Sequence, residues 1–152
     1  MTSDREFIPS AIAATASGSF SDPANADEAN SSFTKFLSRV ALGCVAAGST
    51  MIGHIKANVR SGDELLSMSC TTDDGNVRLR YKFSKTVAKY TMTVNVIVYG
   101  IDKRRTAEIL VSNLRSLGVA GLEVHSEVGC EDPSCDDPLC QRDEHVRVIN
   151  IE

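Results

Sequence analysis

Between Phe33 and Cys44 apolar side chains recur at three- and four-residue steps: Phe33, Phe36, Leu37, Val40, Ala41 and Cys44. That spacing lays one stripe along a helix. Ser31 or Ser32 can cap its start, and Gly48 can end it. The period then changes to two. Met51, Gly53, Ile55, Ala57 and Val59 alternate with Ile52, His54, Lys56, Asn58 and Arg60, which predicts a strand with one apolar face. Ser61-Gly62-Asp63 is a turn, and Leu66, Met68 and Cys70 begin a second alternation. After Asp73-Asp74-Gly75-Asn76, a strong turn signal, Val77, Leu79, Tyr81 and Phe83 alternate with Arg78, Arg80 and Lys82. A fourth strand runs from about Tyr90 to Tyr99. Its centre, Val94-Asn95-Val96-Ile97-Val98, is nearly continuous and predicts burial on both faces.

Asp102 is placed to cap a second helix whose stripe is Ala107, Leu110, Val111, Leu114 and Leu117, and Gly118 closes it. Two further strands follow, Leu122 to Val128 and Val146 to Ile151. The pattern predicts an α+β domain in the order αββββαββ. Its mostly antiparallel sheet of five or six strands should carry both helices on one face. Residues 1–29 are rich in Ser, Ala, Asp and Gly and include Pro9 and Pro23. They are expected as a flexible lead before a single domain at 30–152.

The stretch between the last two strands changes the picture. Cys130, Cys135 and Cys140 stand five residues apart and His145 continues the spacing. Two similar units, Cys-acid-Asp-Pro-X, lie in tandem. A five-residue period suits neither helix nor strand. It suits successive Pro-containing turns that return side chains towards one centre. Three thiolates and an imidazole form a donor set that zinc takes in closed tetrahedral sites. The loop at 129–145 is therefore a candidate metal site with Cys130, Cys135, Cys140 and His145 as ligands. Zinc is the first expectation, and an iron–sulfur cluster or another transition metal the alternative. An acidic loop with free thiols, or a redox disulfide among them, remains open on the residues alone. Glu127, Glu131, Asp132, Asp136, Asp137, Asp143 and Glu144 surround the loop with only Arg142 against them, a field that attracts cations.

The remaining candidates are contacts for a partner or an anion. His54 lies opposite the apolar face of its strand by alternation. Arg78, Arg80 and Lys82 share a face of theirs, and Lys56 can lie beside them. The sequence holds no Gly-x-Ser-x-Gly elbow, no His-Glu-x-x-His pair and no Gly-x-x-x-x-Gly-Lys-Ser/Thr loop. An enzyme built on His54 and the basic strand is the weaker alternative to a binding protein.

Composition narrows the setting. The 152 residues include no Trp and only 5% aromatics, so the core must rest on Val, Ile, Leu and Ala. A net charge of −4 counts against nucleic acid as a partner. No apolar run approaches a membrane span, and the N-terminus lacks a basic region followed by a long apolar one. A cytoplasmic location is expected, where five cysteines point to packing or metal before disulfides.

Two stretches carry a resemblance. Ile52-Gly53-His54-Ile55-Lys56-Ala57, with Ser67-Met68-Ser69-Cys70-Thr71, resembles a region that follows the GTPase domain in CobW-type metal-chaperone GTPases and their corrinoid-linked relatives. Thr93-Val94-Asn95-Val96-Ile97-Val98-Tyr99-Gly100 resembles a later strand of that region. The resemblance spans roughly residues 33–117. It implies an accessory module in metal or cobalamin handling, attached to or working beside a GTPase or a corrinoid protein. A homo-oligomer or a small structural subunit whose loop is clipped by zinc is the alternative. The chain departs from the family in lacking the phosphate-binding loop, so GTP hydrolysis does not carry over.

Overall fold

The computed structural model describes residues 8–125. Eight elements follow one another: β1 (Pro9–Ala24), α1 (Ala26–Ala46), β2 (Met51–Ser61), β3 (Glu64–Cys70), β4 (Arg78–Tyr81), β5 (Val87–Tyr99), α2 (Lys103–Leu117) and β6 (Gly121–His125). The six strands make one open sheet in the order β4-β3-β2-β5-β1-β6, with every neighbouring pair antiparallel. The fold is α+β. β1 and β2 run parallel to each other with β5 between them, and β5 and β6 run parallel with β1 between them. Each helix thus closes a split β-α-β unit, and β3 and β4 extend the sheet beyond β2.

The largest departure from the sequence reading is β1. The segment expected as a flexible lead contains a sixteen-residue strand, so the described order is βαββββαβ. Ala occupies both parities of Ala11–Ala16, so no alternation marks the strand. Its identity comes from its neighbours: Pro9–Ser19 pairs with Lys89–Tyr99 on one side and Ala13–Ser17 with Gly121–His125 on the other. Ala14 and Ala16 are buried, and α2 contacts this strand. The expected strand at 146–151 lies outside the described residues.

Helix α1 begins at Ala26 rather than at Ser31. Asn25 is the cap, its side chain accepting from the Glu28 amide at 2.9 Å, and Asp27 and Glu28 sit where the helix dipole favours acids. Asp102 caps α2 in the same way, accepting from the Arg105 amide at 2.7 Å. Gly118, at φ +85°, closes α2 in a left-handed turn: its own amide donates to the Arg115 carbonyl and the Val119 amide to that of Leu114.

One parity of the strands is buried together with the apolar stripes of the helices. Ile12, Ile55, Val59, Leu66, Met68, Val94, Val96 and Val98 are buried with Phe33, Leu37, Val40, Leu110 and Leu114. α1 contacts β2 and β3, α2 contacts β1, and the helices contact each other. Although aromatics are few, four of them meet. The Phe33 ring lies 4.9 Å from that of Tyr90, 6.0 Å from Phe20 and 6.2 Å from Phe83, edge-on or tilted.

Two strand expectations need correction. β5 is buried on one face only, because Thr91, Thr93 and Asn95 are exposed while Met92, Val94 and Val96 are buried. In β2 the register shifts between Ile52 and His54. This bulge puts Ile52 with Ile55 in the core and leaves Met51 exposed, the reverse of simple alternation.

Candidate functional site: the open face of the sheet

The strand positions of the other parity form a broad polar surface. Register places its residues in rows across the sheet. One row runs Arg78, Ser69, Lys56, Asn95, Ala13 and His125 from β4 to β6. The next runs Tyr81, Ser67, Asn58, Thr93, Thr15 and Glu123. Short side chains fill the middle, so the face is low there, and longer basic side chains stand along β2 and at the β4 edge. Arg60 lies beyond Asn58 on β2, opposite Leu65 and Thr91.

His54 lies half-buried on this face, across from Ile97. The bulge brings backbone close: a side chain at Gly53 would meet the Ile97 carbonyl oxygen at 2.9 Å. Partial burial, and secondarily the positive charge of Lys56, hold the imidazole below its usual pKa. His54 is thus the neutral imidazole at pH 7, and among the described ion pairs it has no carboxylate partner. It is held as a hydrogen-bonding group or a soft ligand more readily than as one half of an acid–base pair.

The basic trio Arg78, Arg80 and Lys82 does not follow one two-residue row. The pairing shifts between Ser67 and Met68, so Arg78 faces Ser69 while Tyr81, rather than Arg80, faces Ser67. A bulge in this short edge strand breaks the two-residue period. The Arg80 guanidinium instead lies over the Tyr81 ring, 5.5 Å from its centre. Lys82 borders a shallow depression with Glu64, Leu65 and Tyr81. Of the five candidate contact residues, Lys56 and Arg78 fall in one row, His54 stands beside Lys56, and Arg80 and Lys82 lie at the edge.

The ligand set Cys130, Cys135, Cys140 and His145 lies outside the described residues. Among the described residues no group of three or more His, Cys, Asp or Glu is placed to hold a metal. Cys44 and Cys70 are buried free thiols. Burial pushes Cys44 up to about 11 and raises Cys70 as well, so neither has the thiolate character of a ligand or nucleophile. No protein-family model, curated protein or solved structure matches the chain. None of the helices described is long and apolar enough to cross a membrane.

His125, five residues before Cys130 and so in step with the cysteine spacing, is expected from its strand to be structural rather than a ligand, and it closes the described chain. Its Nε2 lies 3.7 Å from a Glu123 carboxylate oxygen, and its Nδ1 is buried without a hydrogen-bond partner among the described residues. The middle of the open face was missed, because its residues come from β1, which carries no periodic signal.

Proposed function

We propose that this protein is a non-enzymatic, metal-binding accessory protein that docks a protein partner. In this reading both helices cover one face of the sheet and leave the other for recognition. Cys130, Cys135, Cys140 and His145 hold zinc in the loop beyond β6. One observation carries the metal half of the reading. Three cysteines and a histidine recur every fifth residue, with Pro133 and Pro138 between the cysteines and seven acids around them. Zinc held this way contributes on the order of 10 kcal/mol to ordering its loop. The partner half rests on the polar open face and on the likeness of residues 33–117 to the region beside the GTPase of CobW-type metal chaperones. That likeness makes a metal-handling GTPase or a corrinoid protein the partner to try first. An enzymatic use of His54 is disfavoured by its position on a broad sheet face without a neighbouring acid.

The test is elemental analysis of chain purified anaerobically under reduction. About one zinc per chain is expected, and Cys130→Ser, Cys135→Ser or Cys140→Ser should abolish it. A preparation that carries no metal, and takes up none after reduction, removes the metal half. If the serine variants lose the folded state itself, the metal is a structural clip rather than a cargo.

A further inference from the structure

The formal charge of −4 conceals an internal division. Residues 8–125 carry thirteen lysines and arginines against ten acids, a net +3. The 27 residues from 126 to 152 carry eight acids and two arginines, a net −6. Within the positive part, the open face is unevenly charged. Lys56, Arg60 and Arg78 are exposed there, as is Lys89, which pairs with Ser19 in β1. Glu123, on the last strand, is the acid that shares the face.

The chain reaches this face at its β6 end. His125 stands in the same row as Lys56 and Arg78, with β1 and β5 between it and Lys56. At about 4.8 Å per strand, Lys56 lies roughly 14 Å and Arg78 roughly 24 Å across the sheet. Extended chain covers up to about 3.3 Å per residue. Glu131 and Asp132 therefore have the reach for Lys56, and Asp136 and Asp137 have it for Arg78.

We propose that the acidic segment of this chain between residues 127 and 144 docks on the open basic face of its own sheet. Opposite charge supplies the attraction. The short covalent tether supplies an effective concentration that a separate acidic chain has to exceed. The low middle of the face, lined by Ala13, Thr15, Thr93 and Asn95, leaves room for a backbone to pass. A second copy is a poorer occupant, because two such faces laid together would oppose like charges. The proposal does not need the metal: three thiolates around zinc leave the segment negative.

Carbodiimide cross-linking of the full chain, reduced and treated with chelator, tests this directly. An equal mixture of ¹⁵N-labelled and unlabelled protein identifies whether each link is intramolecular. Links between Lys56 and Glu131, Asp132, Asp136 or Asp137, without isotopic mixing, are expected to exceed those from Lys35 and Lys103 on the helices several-fold. The yield should fall at least threefold between about 10 mM and 0.5 M salt, as the screening length shortens below the separations involved. It should fall similarly in an Arg60→Gln, Arg78→Gln double variant, which keeps Lys56 and alters only exposed side chains. Equal linking from Lys35, Lys103 and Lys56 would overturn the proposal. Isotopically mixed links at Lys56 would replace it with docking between copies.

Discussion

Asn30 is the clearest place to test the packing by a single change. It is a buried amide on α1, and it clamps the backbone of Phe83 on the connection between β4 and β5. Its Oδ1 accepts from the Phe83 amide at 2.9 Å, and its Nδ2 donates to the Phe83 carbonyl at 3.0 Å. The connection must return from the edge strand to the middle of the sheet, carrying Phe83 under the helix. An irregular backbone taken indoors needs partners for its polar groups, and Asn30 supplies both. Asn30→Ala strands an N–H and a C=O where water has little access. Each costs about 1–3 kcal/mol, so a loss of about 2–6 kcal/mol is expected. For a domain of this size, at about 3 °C per kcal/mol, that lowers the melting temperature by roughly 6–18 °C. Asn30→Asp separates the two bonds. The carboxylate still accepts from the amide, but it faces the Phe83 carbonyl oxygen. Burial and that repulsion raise the folded-state pKa above the unfolded one. The folded state then binds more protons, so this variant gains stability as pH falls, in the direction opposite to an ordinary ion-paired acid. Urea unfolding followed by far-UV circular dichroism, at pH 7 and pH 5, gives both numbers. An Ala variant within about 0.5 kcal/mol of the parent, or an Asp variant insensitive to pH, refutes the clamp.

Two further changes probe the sheet. At Gly18 an added Cβ would lie 2.5 Å from the Tyr90 hydroxyl oxygen and 2.6 Å from the ring carbon that bears it; Gly18→Ala should therefore cost about 1–3 kcal/mol by displacing a ring packed on Phe33, and adding Tyr90→Leu should recover part of that loss in a double-mutant unfolding cycle. His54 has a folded pKa lowered chiefly by burial and then by Lys56, so it binds fewer protons folded than unfolded, and its contribution to stability falls as pH drops below about 6.5 towards the folded value. Lys56→Gln should raise the His54 pKa without restoring it fully, as read by the imidazole ¹H shifts during titration; an unchanged value would remove Lys56 as a cause.

What could be read from the residues alone was whatever is written locally. The stripe from Phe33 to Cys44, the cap at Asp102, the Gly118 stop and the turn at Asp73–Asn76 need only neighbours within a few positions, and the corresponding elements stand where those signals put them. β1 needs information of another kind. Alanines at both parities say nothing, and Pro23 and the scattered serines argue against a strand. What makes it one is sixteen residues of backbone offered to β5 on one side and β6 on the other, partners remote in the chain. The bulges at Gly53 and in β4 are similarly silent in the sequence, yet each decides which side chains line up. Ile52 moves into the core and Arg80 leaves the row of Arg78.

The same distinction separates the two parts of the candidate site. The spacing of Cys130, Cys135, Cys140 and His145 is a local pattern and could be seen at once. Alternation already suggested Lys56 beside Arg78, but not the row itself: the two are joined through Ser69, and His125 enters that row only through Ala13 and Asn95. A surface assembled from register across six strands carries no local motif. Its chemistry is set by which residue faces the open side of each strand, so a one-residue slip in β2 would bury Lys56 and expose Ile55. The make-up of this face therefore depends on strand register as much as on the basic side chains themselves.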